Sequence, residues 1–345
     1  MYNQKMEQRE LRTDLIRAVS SATVVLLHST SKIINNYQTV PRESLLAVLM
    51  VSGFTRWVVP VFLMVSGAIF LGGNYKYEGA VVFWKKRLSK VLIPILFWNL
   101  LYFLVFMRDG NGNLQWAKGI REFYTVSGTY YHLYYMMVAL GLYAVTPLLK
   151  KWLEWVGDKW FWWWIVWVAA ANWYAVAYSW WNVPKIMAMP LVFIPYVGYY
   201  ILGAKIWGAK ANKKLLIGLM LSAGAAIALA NFNLIYKYGV TMKGVFYHDR
   251  LTMLVLAQAV AVFVGLMGVT RLKNKLVTEI ASCSFGIYLV HPLITDGLLR
   301  GRTYRGEPMG TLVWLFGFWI TAWLISFGII QAFKRIPGLK VVVGG

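Results

Sequence analysis

The chain is poor in acid, in thiol and in imidazole. Its 345 residues hold 13 aspartates and glutamates against 35 lysines and arginines, a single cysteine and four histidines. One cysteine, Cys283, excludes an intramolecular disulfide framework and a thiolate metal site. Only 14% of the residues are charged, well below the roughly one quarter usual in soluble domains. What replaces charge is apolar bulk: 59% hydrophobic residues, 17% aromatic and a mean hydropathy of +0.56. The composition therefore describes an all-α polytopic membrane protein, since helices satisfy their own backbone polar groups where water is absent. No unit of 20 to 50 residues repeats, and no inverted pair of broken helices stands out.

Apolar stretches of spanning length fall near 14–34, 46–72, 88–107, 130–149, 160–181, 187–206, 214–234, 251–270, 281–299 and 311–333. They predict about ten transmembrane helices in one domain over 1–345, with no appended soluble domain. The polar stretch before Thr13 has no small-residue cleavage site behind it, which predicts a retained anchor. With both termini on one side, 21 basic residues fall in loops and ends on that side and 11 on the other; Arg17, Lys32 and Arg56 complete the 35. This bias places both termini in the cytoplasm, and it accounts for the net charge of +22 without nucleic acid as a partner. The longest outer loops, near 108–129, 235–250 and 300–310, mix aromatic and basic residues. Their net positive charge suits a polar, acidic acceptor. The tryptophan-dense run from Trp160 to Trp167 reads as an interfacial belt facing lipid.

Within the first apolar stretch, DLIRAVSSATVVLLH puts Arg17 and His28 eleven positions apart. Eleven residues advance an α-helix by about 1100°, so both side chains share one face, roughly 16 Å apart along the axis. Ionisable groups at two depths in the membrane mark a passage. Arg17 suits an anion clamp, or else a cation snorkelling to headgroups or pairing with Asp14 one turn away. The segment KKRLSK adds Lys86, Arg87 and Lys90 at the same depth, and several converging cations suit a polyphosphate. His28 is the side chain fitted to move a proton near neutral pH; the bland alternative is a neutral imidazole bonded to a neighbouring helix.

Three further segments carry polar groups into apolar surroundings. RWVVPVFLMVSG buries Arg56, with Pro60 expected to break a backbone hydrogen bond and Ser66-Gly67 to offer a small, polar or close-packing surface. Arg56 reads equally as a hydrogen-bond hub or a site residue. Asp296 has Arg300 as a local partner at i+4. SFGIYLVHPL places Tyr288 and His291 one turn apart, with Pro292 freeing the Tyr288 carbonyl. His132, in HLYY, fits an interfacial aromatic cluster or the acceptor side.

Together DLIRAVSSATVVLLHS, RWVVPVFLMVSG, KKRLSKVLIP, HLYYMMVALGLYAVTP and SFGIYLVHP resemble the acyltransferase 3 family of membrane O-acyltransferases, over nearly the whole chain and closest to its bacterial branch that O-acetylates surface polysaccharides. Lys90 stands where that family often has arginine, and HLYY replaces the commoner HLWF. The resemblance implies a multi-pass protein of the bacterial inner membrane. It implies acetyl-CoA as cosubstrate, no permanently bound cofactor or metal, and a glycan or lipid-linked saccharide as acceptor among membrane lipids. Arg17, with Arg87, Lys86 and Lys90, would hold the acyl-CoA, and His28 would act as base or transient acyl carrier. Tyr288 and Ser66 are candidate oxyanion donors, and Arg56, His132 and His291 candidates for the site or its acceptor side. The competing readings are a transporter or flippase of a glycan or lipid-linked intermediate and an assembly subunit; neither explains the Arg17 and His28 spacing. A fluorescent protein fused after Arg335 is expected to be bright, and alkaline phosphatase fused there inactive; the reverse would invert the orientation.

Overall fold

The computed structural model describes residues 2–72, 79–123, 128–181, 191–269, 274–298 and 306–344, with only the backbone described for 2–11 and Ser89. Among these residues there is one isolated β-bridge, Arg108 to Leu114, and everything else regular is helical. The helices are α1 (Tyr2–Ile34), α2 (Arg42–Gly53), α3 (Val58–Phe70), α4 (Ala80–Phe106), α5 (Trp116–Phe123), α6 (Tyr134–Val156), α7 (Trp160–Trp180), α8 (Val197–Lys205), α9 (Lys213–Tyr238), α10 (Met253–Met267), α11 (Lys275–Pro292), α12 (Pro308–Arg335) and α13 (Pro337–Lys340). Seven stretches among the described residues are long and apolar enough to cross a membrane; one of them, Tyr131–Trp180, holds both α6 and α7. A polytopic all-α membrane fold follows directly.

Each apolar stretch of the sequence overlaps helix, but several boundaries differ. α1 begins far upstream of residue 14, and α11 begins at Lys275. The stretch 187–206 is a six-residue 3₁₀ segment, Leu191–Tyr196, running into the short α8; its first residues lie outside those described. The loop near 108–129 contains the amphipathic α5, which the spanning-length criterion could not see; residues 124–127 and 299–305 lie outside the described residues.

The stretch 46–72 is two helices. The chain breaks at residues 54–57, and the buried side chain of Gln258 on α10 closes the break: its amide donates to the Gly53 carbonyl at 2.9 Å and accepts from the Trp57 N–H at 3.2 Å. In an apolar medium such backbone groups need a partner, and one glutamine supplies both a donor and an acceptor. The break also changes the reading of Pro60. It falls in the first turn of α3, where an N–H has no helical partner in any case, so no backbone bond is lost.

α3 packs on α8 through a reciprocal glycine contact. A Cβ at Gly67 would fall 1.7 Å from the Tyr200 carbonyl oxygen, and one at Gly203 would fall 2.0 Å from that of Met64. Only the missing side chains let these backbones approach, the usual means of close association where no hydrophobic drive separates helix from lipid. α1 lies centrally, against α2, α3, α10, α11 and α12, with the Trp319 indole of α12 donating to the Ala22 carbonyl at 2.8 Å. Within the run Trp160 to Trp167, Trp162 and Trp163 are exposed, whereas Trp164 and Trp167 pack against the core and donate to the Gly198 and Ile194 carbonyls, each at 3.2 Å.

Replacing Gln258 with leucine leaves two buried backbone groups unsatisfied, at about 1–3 kcal/mol each. The thermal midpoint in detergent is expected to drop by several degrees, and an unchanged midpoint would refute the bridging role.

Candidate active site

One face of α1 threads the structure. Arg17 lines a cavity at the end carrying the C-terminal segment; Ser31 and Asn35 line a second cavity at the opposite end. His28 lies between them, eleven residues beyond Arg17 and one turn before Ser31. At 100° per residue, positions 17, 28, 31 and 35 stay within about 60° of the His28 direction.

The Arg17 cavity has a volume of about 270 Å³. Its cations are Arg17 from α1 and Arg87 and Lys90 from α4, its deeper wall is Ser66, Tyr135, Tyr143 and Tyr288, and Val343 and Gly344 close one side. Arg87 is held 4.7 Å over the Phe70 ring, which orients the guanidinium without consuming its charge. Lys86, grouped with these cations by the sequence, is exposed and does not line the cavity. The C-terminal wall is fixed by the Trp98 indole, which donates to the Val342 carbonyl at 2.8 Å.

Beyond Tyr288 lies a block of imidazole and phenol rings. His28 stacks on His291 with centroids 5.1 Å apart, and His291 meets His132 edge-on at 5.6 Å. Tyr288 packs against His132 at 5.3 Å, and its hydroxyl donates to the His132 backbone carbonyl. Tyr102 closes on His132 at 4.9 Å. His132 and His291 are fully buried, whereas His28 keeps partial exposure and also touches Tyr131 at 5.2 Å. Of the three clustered imidazoles, His28 is the one that is not fully buried.

Pro292 shapes this block. At the end of α11 the backbone passes into a π-helical stretch, Leu293–Leu298. The Leu293 N–H bonds to the Val290 and His291 carbonyls, which releases the carbonyl of Leu289 from its usual i+4 donor. The Tyr102 hydroxyl takes that donor's place at 2.7 Å, and the His132 Nε2 lies 3.4 Å from the same oxygen. His291 Nδ1 is 3.2 Å from the Ile287 carbonyl. Such π segments recur at functional sites. The sequence showed the proline; it could not show that α4 would supply the phenol that completes the backbone.

The π segment also carries Asp296 to α1. Its carboxylate lies 3.2 Å from Lys32 Nζ and accepts from the Tyr130 and Tyr131 hydroxyls at 2.9 and 3.1 Å. Lys32, the two tyrosines and the Thr295 hydroxyl, which donates at 3.3 Å, are therefore partners of Asp296; Arg300, its expected partner, lies outside the described residues. The pairing was hidden because Lys32 is distant in sequence.

Arg56 sits at the break between α2 and α3 and donates to the Ser52 hydroxyl. It lines the second cavity, about 280 Å³, together with His248, Asp249 and Arg250. Arg56 and Arg250 both lie within electrostatic range of His28. In the sequence Arg250 falls at the edge of the outer loop near 235–250, and its run with His248 and Asp249 just before α10 is the available signal. Ser66 donates to the Phe62 carbonyl at 3.1 Å within its own helix and faces the Arg17 cavity, away from the second one. Among the described residues no group of three histidine, cysteine or acidic side chains is arranged to hold a metal.

A family of acyltransferase domains matches residues 11–330. Comparison with curated proteins and with solved structures yields no match. The matched span takes in Arg17, the three clustered imidazoles and all the helices from α2 to α11 that enclose them. With the match over nearly the whole of a polytopic helical chain, the protein is a membrane acyltransferase and a member of the acyltransferase 3 family.

Proposed function

We propose that the protein is an O-acetyltransferase of the bacterial inner membrane that takes acetyl from cytoplasmic acetyl-CoA and delivers it to a hydroxyl of an extracytoplasmic or lipid-linked glycan. The observation that carries this reading is the face of α1 on which Arg17 lines one cavity, Ser31 and Asn35 line the other, and His28 stands between. The loop bias of basic residues puts the Arg17 cavity on the cytoplasmic side. Arg17, Arg87 and Lys90 then meet the phosphates of the donor, with Lys86 adding positive charge at the mouth. The roughly 16 Å from Arg17 to His28 suits a linear pantetheine arm.

In this reaction the acceptor oxygen attacks the thioester carbonyl, its proton passes to the imidazole of His28, the carbon–sulfur bond breaks and the thiolate leaves to be protonated. The same imidazole can instead receive the acetyl group and pass it on. Either way His28 must be neutral and unencumbered, and its partial exposure suits the second requirement. His291 and His132 support the ring; their burial withholds them from substrate. Tyr288, between the Arg17 cavity and the imidazoles, holds the His132 backbone, so its hydroxyl would have to release that bond to serve a developing oxyanion. Ser66 is in the same position with respect to Phe62.

With radiolabelled acetyl-CoA and purified protein in proteoliposomes, His28→Ala is expected to lower turnover by about a hundredfold or more. Arg17→Ala is expected chiefly to raise the KM for acetyl-CoA, by about tenfold. If the wild type neither binds nor consumes acetyl-CoA, the donor assignment is wrong. Tyr288→Phe is expected to lower kcat by about tenfold while leaving the KM for acetyl-CoA near its original value; a change confined to KM would move Tyr288 from the reacting centre to the donor cavity.

A further inference from the structure

The cavity at the far end of α1 is polar, cationic and only partly neutralised. Among the described residues, two guanidiniums, Arg56 and Arg250, line it with a single carboxylate, Asp249. That carboxylate is engaged locally, accepting from the Leu251 N–H at 2.8 Å. The Nε of Arg56 and the Nε2 of His248 are buried without a hydrogen-bond partner. Buried donors and charges are costly unless matched, so a site left with one positive charge in excess and an unpaired guanidinium N–H is complementary to an anion.

The site is also held in shape before any ligand arrives. Arg250 packs 4.3 Å over the Tyr134 ring, and its backbone carbonyl accepts from the Tyr199 hydroxyl at 2.5 Å. Arg56 is placed by the helix break that Gln258 bridges. Such preorganisation reduces the ordering cost of binding. The volume, about 280 Å³, lies just below the roughly 300 Å³ at which cavities begin to enclose drug-sized ligands, which suits one sugar-sized unit. Ser31 and Asn35 bring the cavity wall to within one turn of His28. The other cavities differ: one is framed by Leu96, Leu100, Phe103 and Trp116 and another by the tryptophans of α6 and α7, and neither contains a charged side chain.

We propose that this cavity is the acceptor subsite and that it selects an acceptor bearing a negative group, carboxylate or phosphate, seated between Arg56 and Arg250 so that a neighbouring hydroxyl faces His28. The proposal rests on the acetyltransferase reading for the hydroxyl's fate, but the anion site itself stands on the cavity alone. A carboxylate would come from an acidic sugar, a phosphate from the linkage of a lipid-linked saccharide.

The test is direct binding to the purified full-length protein in detergent, with coenzyme A at saturation so that the Arg17 cavity cannot take up the probe. Three probes are compared: a uronic-acid oligosaccharide, the same oligosaccharide with its carboxyl groups reduced, and an isoprenyl pyrophosphate. The acidic oligosaccharide, the pyrophosphate or both should bind about tenfold or more tightly than the reduced sugar. That preference should weaken with salt and be lost in Arg56→Gln, while Arg56→Lys retains part of it. Binding by the acidic sugar alone assigns the charge to the saccharide, and by the pyrophosphate alone to the lipid linkage. Equal binding of all three probes, or unchanged discrimination in Arg56→Gln, overturns the proposal. Should Arg56→Gln not fold, His248→Gln tests the same cavity with the helix break untouched. Failure of coenzyme A to bind while the anion preference persists would count against the acetyltransferase reading alone.

Discussion

The stack of His28 on His291 is the contact on which the arrangement depends. It joins the long central helix α1 to α11 at the depth where the chain changes from one cavity to the other. The layer separating the Arg17 cavity from the far cavity is rings: Tyr288, His132, His291 and His28 in succession. Rings fill such a layer to close packing while keeping polar edges that backbone carbonyls can meet. Partial exposure sets His28 apart from the two buried imidazoles of this layer.

Two irregularities in the backbone put functional groups into this layer, and both are completed by a side chain from another helix. At residues 54–57 the amide of Gln258 meets the open N–H and C=O, and the loop it stabilises presents Arg56 to the far cavity. After Pro292 the phenol of Tyr102 takes up the freed Leu289 carbonyl, and the π stretch that follows carries Asp296 to Lys32. Irregular backbone at membrane depth is tolerated only under such cover.

Scarcity of acid shapes the electrostatics at both ends. With 13 carboxylates in the chain, few are left to neutralise cations near the cavities. Asp296 is committed to Lys32 and two tyrosines, and Asp249 to the turn before α10. Among the described residues, no acidic side chain lines the Arg17 cavity. Cations thus line both cavities, and a layer of rings lies between them.

The sequence by itself determined the membrane class, the helical stretches and the shared face of Arg17 and His28. These follow from local physics: hydropathy over spanning length, the bias of basic loops, and 100° per residue along one uninterrupted helix. The motif around Pro292 was legible for the same reason, since the missing N–H is a property of proline wherever it sits. Tertiary structure alone decided that His28 meets His291 and His132, that Gln258 and Tyr102 complete the broken backbones, that Asp296 pairs with Lys32, and that Arg250 and His248 join Arg56. Each of these joins residues from about one hundred to more than two hundred and sixty positions apart, and helix periodicity carries no information about which faces of different helices will oppose one another. That choice is made by packing, as where Gly67 and Gly203 admit α8 against α3, and it converts a row of polar groups on one helix into a site.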